Sequence, residues 1–239
     1  MDLPFFYHPE IRAGLQSIML DEDTSRHVVQ VLRMQPGEQL LLTDGKGNIF
    51  TTTITDAHKK KCMVELSGDI KTAQRASRIS IAISPVKNNS RLEWFLEKAT
   101  EMGVASIVPL ICQRTEKQHF RYDRMKNILV SAMQQSQQAW LPELHEAIPF
   151  GKYIDADKSP QRFIAYCIDD EKRQPLNHFS PFDEAVILIG PEGDFTPDEV
   201  KLALEQGYQP VTLGSTRLRT ETAGMLAAGL MVNLQVSTG

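Results

Sequence analysis

The chain is predicted to be an α/β protein in two parts, a small β-rich domain followed by a larger domain built on a mostly parallel sheet. Three observations predict it. Before residue 75, short runs rich in threonine, isoleucine and valine alternate between turn signals. After it, apolar strand-like runs alternate with helix-period segments. Near the C-terminal end, two such runs each pass through glycine into a polar turn and then a helix-like pattern: AVILIGPEGDF, from Ala185 to Phe195, and PVTLGSTRLRTETAGMLAAGL, from Pro210 to Leu230.

In the first part, residues 1–74, a helix is expected from Thr24 to Met34. The strand-like runs GEQLLLTDG, GNIFTTTITDA and KCMVELSGD follow it. Asp44-Gly45 and Gly47-Asn48 mark turns, and Lys59, Lys60 and Lys61 form a hairpin tip. Closure of such strands into a barrel is the expected arrangement.

The second part spans residues 75–239. Ile79–Pro85 is its first strand. A helix follows from Arg91 to Met102, with Leu92, Phe95, Leu96, Ala99 and Met102 on one face and Gly103 at its end. Ala105–Cys112 is a second strand. Asp123–Ala139 is a second helix with Met125, Ile128, Leu129, Ala132 and Met133 as its buried stripe. Phe163–Ile168 and Val186–Ile189 are continuous apolar runs, as expected of strands covered on both faces. Thr196 is a good N-cap for a helix from Pro197 to Gln206, with Glu199 three residues on and Gly207 at the end. A last strand, Pro210–Leu213, leads to a final helix from Glu221 to Leu234. Its small residues suit close packing on the sheet or on a second subunit.

Composition narrows the function classes. Of 239 residues, 41% are hydrophobic and 23% charged, with net charge −4, which disfavours indiscriminate nucleic-acid binding. The charge is uneven: residues 76–130 carry nine basic against five acidic groups. Arg78, Lys87, Arg91, Arg114, Lys117, Arg121, Arg124 and Lys126 are therefore the candidate RNA surface, weighed against ordinary solvated helix faces. No apolar run approaches a membrane span, and MDLPFFYHPEIR does not read as a signal peptide. Cys62, Cys112 and Cys167 are isolated and odd in number, fitting a reducing cytoplasm without disulfides. Scattered histidines predict no metal.

The two glycine turns carry the chemistry. Side by side, they make a pocket at strand carboxyl ends, where open α/β sheets bind ligands. Gly190-Pro191-Glu192-Gly193 is neither a dinucleotide fingerprint nor a phosphate loop. Glu192 would repel polyphosphate and suit ribose hydroxyls or a cationic centre, while glycine lets backbone approach a flat ring. The alternative is an ordinary tight turn. Arg217 and Arg219 precede a helix N-terminus, where the macrodipole disfavours cations, so an anion or a developing anion explains them. Glu221 either pairs with an arginine or serves as a proton acceptor. Asn88 and Asn89 either cap the helix at Arg91 or read a base edge.

GPEGDF, LGSTRLRTETA and the upstream EKATEMGV (Glu97–Val104) together resemble the bacterial 16S rRNA uridine-N3 methyltransferase family of the SPOUT superfamily, and the likeness runs over nearly the whole chain. HVVQVLRMQPGEQLLLTDGKGNIF is similar to that family's PUA-like β-barrel. The resemblance implies a SPOUT-type parallel sheet with a trefoil knot, S-adenosyl-L-methionine as cofactor, a homodimer, and a uridine in the decoding region of the small ribosomal subunit as substrate. Carried over by motif, cofactor contacts fall on Leu188, Gly190, Glu192, Gly193, Leu213, Gly214, Leu218, Arg219 and Thr222. Arg219 and Glu221 are the catalytic candidates, and Arg33, Lys87, Asn89 and Arg114 the RNA candidates. Two departures stand out: Asp194, where the family often has a second glycine, and Ser136-Gln137-Gln138, where many members read Ser-Gly-Arg. Rival readings are a non-catalytic RNA-binding assembly factor, a nucleotide-binding α/β enzyme outside RNA chemistry, and methylation of another rRNA base or a ribose.

Overall fold

The computed structural model describes residues 3–75, 78–116, 120–167, 173–179 and 183–234. Lys117 of the candidate RNA surface and Ile168 of an expected strand lie outside them. The chain divides into two compact units. One comprises residues 1–75 and 133–141, the other 76–132 and 142–239.

In the first unit, strands β1 (Phe5–Tyr7), β2 (Ser17–Met19), β3 (Gln39–Thr43), β4 (Asn48–Asp56) and β5 (Met63–Thr72) form one curled sheet in the order β1-β3-β4-β5-β2. β1 runs parallel to β3, and the other pairings are antiparallel. The alternating burial of β4 turns Phe50, Thr52 and Ile54 inward onto Leu40, Leu42 and Val64. The lysine triplet is the turn between β4 and β5, where Lys60 Nζ pairs with Glu22 at 3.2 Å.

The expected first helix starts two residues early. Asp21 caps α1 (Glu22–Arg26) by accepting from Thr24 N–H. From His27 to Val31 the helix then widens into a π turn, with Leu32 N–H bonded to His27 O. Arg33, at φ 57°, ends it.

The segment 133–141 completes this unit. Gly47 N–H donates to Ala139 O at 2.9 Å, and Trp140 Nε1–H donates to Ala73 O at 3.0 Å. The indole lies against Gly47, where a Cβ would come within 2.4 Å of the ring, so only glycine fits.

The second unit is a parallel sheet. Its strands are β6 (Ile79–Ile83), β7 (Ser106–Ile111), β8 (Glu143–Leu144), β9 (Ile148–Pro149), β10 (Gln161–Ala165), β11 (Gln174–Pro175), β12 (Ala185–Ile189) and β13 (Gln209–Thr212). The order is β11-β13-β10-β12-β6-β7-β8, with β9 also on β7, and every pairing is parallel. β12 is buried along its whole length, as its apolar run predicts.

The helices are α2 (Asn89–Glu101), α3 (Tyr122–Gln135), α4 (Phe150–Ala156), α5 (Pro197–Glu205) and α6 (Thr220–Leu234). Asn88 caps α2 by accepting from Ser90 N–H at 2.9 Å. α5 has the expected capping box between Thr196 and Glu199, and Gly207 follows it at φ 84°. α3 stops at Gln135, four residues before the expected end, because Gln137 turns left-handed at φ 52°. α6 packs onto β6 and α2. A Cβ on Gly224 would sit 2.7 Å from Ile83 Cδ1 and 2.8 Å from Phe95 Cε2, so this helix face needs glycine to reach the sheet. No described helix is long and apolar enough to cross a membrane.

Candidate active site

The sequence places the two glycine turns side by side, but the sheet separates their strands. β10 lies between β12 and β13. The cavity at the carboxyl ends is therefore built from three strand ends, and Ala165, the last residue of β10, and Cys167, two residues beyond, line it with the turns.

The first turn leaves β12 at Gly190. Its backbone passes so close to Phe195 that a Cβ would stand 3.1 Å from the ring and 3.2 Å from Phe195 N. Phe195 is fully buried and packs on Phe150 at 5.5 Å between ring centroids, which fixes that wall. Three neighbouring segments hold the rest of the turn. Glu192 Oε1 accepts from Lys87 N–H at 3.3 Å. Gly193 O accepts from the Arg114 guanidinium at 2.7 Å. Asp194 stands at φ 64°. Its carboxylate accepts from Cys167 N–H at 2.8 Å and from Phe195 N–H at 2.9 Å.

A left-handed residue other than glycine costs roughly 1 kcal/mol. Aspartate offsets this with two hydrogen bonds that glycine lacks, one of which ties the turn to the end of β10.

The second turn runs from Leu213 to Arg219. Gly214 has φ 142° and open space where a side chain would start. Thr212 Oγ1 donates to Gly214 O at 2.9 Å and closes the turn on itself. The two turns meet where α6 begins: Thr220 is buried, and its hydroxyl donates to Gly190 O at 3.0 Å.

Two adjoining cavities result. The larger, about 500 Å³, is lined by Tyr166, Arg173 and residues Val211 to Leu218 together with Ala165, Cys167 and Ala223. The smaller, about 280 Å³, is lined by Ile189, Gly190, Pro191, Glu192 and Asp194 on one side and Arg217, Leu218, Arg219 and Thr220 on the other. Ala165, Cys167, Arg217, Leu218 and Ala223 belong to both. Carboxylates and guanidinium groups thus share one concavity, as the sequence suggests.

Of the motif-derived cofactor residues, Gly190, Glu192, Leu213, Gly214, Leu218 and Arg219 line this space. Leu188, Gly193 and Thr222 do not. Leu188 is a core residue of β12 with no exposed surface, and Gly193 packs against the Arg114 stem. Glu221 is not brought to the cavity either. It is 6% exposed, and its Oε1 faces Arg91 Nε of α2 at 3.7 Å. Lys87 Nζ pairs with Glu116 at 3.2 Å, and Asn89 is the first residue of α2. Arg33 lies in the other unit. Sequence reading missed Cys167, Tyr166 and Arg173, whose stretch carries no glycine or motif to single it out.

Comparison with known proteins agrees with this architecture. An RNA methyltransferase domain model matches residues 73–232, and an RNA methyltransferase PUA domain model matches residues 20–67. A probable rRNA-methyltransferase from Porphyromonas gingivalis superposes with TM-score 0.90 at 41% identity, covering 98% of both chains. Ribosomal RNA small subunit methyltransferase E from Neisseria gonorrhoeae, bound to S-adenosyl methionine, superposes with TM-score 0.86 at 31% identity, covering 98% of both chains. Ribosomal RNA small subunit methyltransferase E of Rickettsia conorii is 28% identical over 88% of this chain and 87% of its own length. With the sheet, the glycine turns and both domain models in agreement, this chain belongs to the RNA methyltransferase family.

Proposed function

We propose that the chain is an S-adenosylmethionine-dependent enzyme that methylates N3 of a uridine in the decoding region of 16S rRNA, within the small ribosomal subunit. It works in the cytoplasm as a homodimer. The observation that carries this reading is the shared cavity at the ends of β10, β12 and β13. There Glu192 and Asp194 face a space bounded by Gly190, Leu218 and Arg219.

The residues present fit the cofactor. Two carboxylates at the smaller cavity suit a sulfonium cation, and Arg217 and Arg219 on its other side suit an anionic group. Gly214 leaves open space where a side chain would start, so a flat ring can lie against the backbone there. Gly190, Glu192, Leu213, Gly214, Leu218 and Arg219 would hold the group directly. Leu188, Gly193 and Thr222 would support them from behind. When bound, the cofactor supplies an electrophilic methyl group on its sulfonium centre.

The chain's own residues then have two tasks. Uracil N3 is a nucleophile only after its proton leaves, which spreads negative charge over O2 and O4. Arg219 is exposed at the smaller cavity and stabilises that charge, a contribution of about 3–4 kcal/mol for a well-placed donor. The cavity walls align the base with the methyl group, the second contribution to rate. Glu221, facing Arg91, fixes the first turn of α6 and with it Arg219, and the N3 proton leaves to solvent at the open mouth.

Lys87, Asn89 and Arg33 are the proposed RNA contacts. The return of the chain from β13, outside β10, to α6 on β6 is the segment that would form the trefoil knot.

Two measurements test the reading. Calorimetry should detect saturable binding of S-adenosylhomocysteine. Purified small subunits from a deletion strain should lack one uridine N3 methyl group by mass spectrometry and regain it with the enzyme. Arg219→Ala should slow that step by roughly 10²–10³-fold with the fold intact. Full methylation by the folded variant, or no binding of S-adenosylhomocysteine, would overturn the proposal.

A further inference from the structure

Arg114 is a candidate RNA contact by sequence, yet its geometry assigns its cation elsewhere. The loop that carries it is fixed before its side chain begins. Thr115 is buried, and its hydroxyl accepts from Cys112 N–H at 2.8 Å and bonds the Ser84 hydroxyl at 2.8 Å. Gln113 N–H donates to Glu199 Oε1 of α5 at 2.7 Å. From this anchored backbone the Arg114 stem runs across the face of Gly193, with Cδ 3.3 Å from where a Cβ would stand. The guanidinium then donates to Gly193 O at 2.7 Å and reaches Phe195 O at 3.5 Å. One cation thus spans two carbonyls on either side of Asp194, in the turn whose other face lines the cavity.

We infer that Arg114 is a positioning residue for the cofactor turn and makes no phosphate contact. The inference rests on the reading of this cavity as the S-adenosylmethionine site. Both contacts come from one nitrogen, Nη1, whose two N–H groups are held in the guanidinium plane, whereas a lysine ammonium rotates freely on a flexible stem. Gly193 follows from the same geometry, since a Cβ there would press on the arginine stem and shift it by a few tenths of an ångström.

Steady-state kinetics and calorimetry on the full chain decide the matter. Arg114→Lys and Arg114→Met should each weaken S-adenosylhomocysteine binding, measured without RNA, by about tenfold or more, the equivalent of one charge-assisted hydrogen bond. KM for S-adenosylmethionine should rise in parallel. The kcat at saturating cofactor and KM for the small subunit should stay unchanged. Gly193→Ala, with the arginine intact, should reproduce the cofactor defect, and Arg114→Lys keeps the test valid if the methionine variant does not fold.

Unaltered cofactor affinity in the lysine variant overturns the inference. So does a raised KM for the small subunit at normal cofactor affinity, the signature of a phosphate contact. Failure of the wild-type chain to bind S-adenosylhomocysteine overturns the parent reading, and the inference with it.

Discussion

Three residues other than glycine take left-handed backbone angles among the described residues: Arg33, Gln137 and Asp194. The last two stand where the family resemblance leads one to expect glycine, so the departures read from sequence mark real conformational demands. Sequence shows the substitution but not its compensation. The link from Asp194 to Cys167 N–H needs β10 beside β12, and no local pattern encodes that neighbour.

The three cysteines give a direct test at this scale. Cys62 and Cys112 are buried, and burial pushes both thiols up, so little thiolate forms at neutral pH. Cys167 is exposed and lines both cavities. Mass spectrometry after iodoacetamide treatment should find Cys167 alkylated first. Saturating S-adenosylhomocysteine should slow that reaction at least about tenfold if it fills the cavity. Equal rates with and without it would place the ligand elsewhere.

The helices were legible wherever a cap and a period coincide. For α5, Thr196, Pro197, Glu199 and Gly207 mark both ends, and the structure follows them. Glu199 does double duty, because one carboxylate oxygen serves the Thr196 cap and the other accepts from Gln113 N–H. Thr196→Ala should therefore cost about 1 kcal/mol in urea unfolding. Glu199→Ala should cost more, because it also releases the loop that carries Arg114. Equal losses would show that the Gln113 bond contributes nothing.

Elements of two or three residues were not legible. β1, β2, β8, β9 and β11 exist only through pairing partners distant in sequence. The π turn after α1 was also hidden, because its residues keep a helix-like apolar pattern while the hydrogen bonds widen.

On the scale of the whole molecule, alternation of strands and helices identified a parallel sheet but not its order. The insertion of β10 between β12 and β13 turned a pocket expected between two turns into one with a third wall. The first unit's N-terminal part ends at residue 75. The return of 133–141 to the first unit left no trace, since its indole contact depends on a glycine 93 residues earlier. Trp140→Ala should cost about 2–3 kcal/mol, somewhat below a fully buried tryptophan, and should lower the unfolding midpoint measured by urea. A loss under about 0.5 kcal/mol, typical of a surface change, would mean that the indole is not part of that core.

The indole seated on Gly47 has a consequence for modularity. Sequence boundaries suggest that the first 74 residues are a transplantable cassette, but the cassette's last piece is encoded in the middle of its neighbour. The chain passes between the units three times, at residues 75, 132 and 141. No single cut separates them, and a chimera that exchanges the N-terminal sheet must exchange the loop after α3 as well.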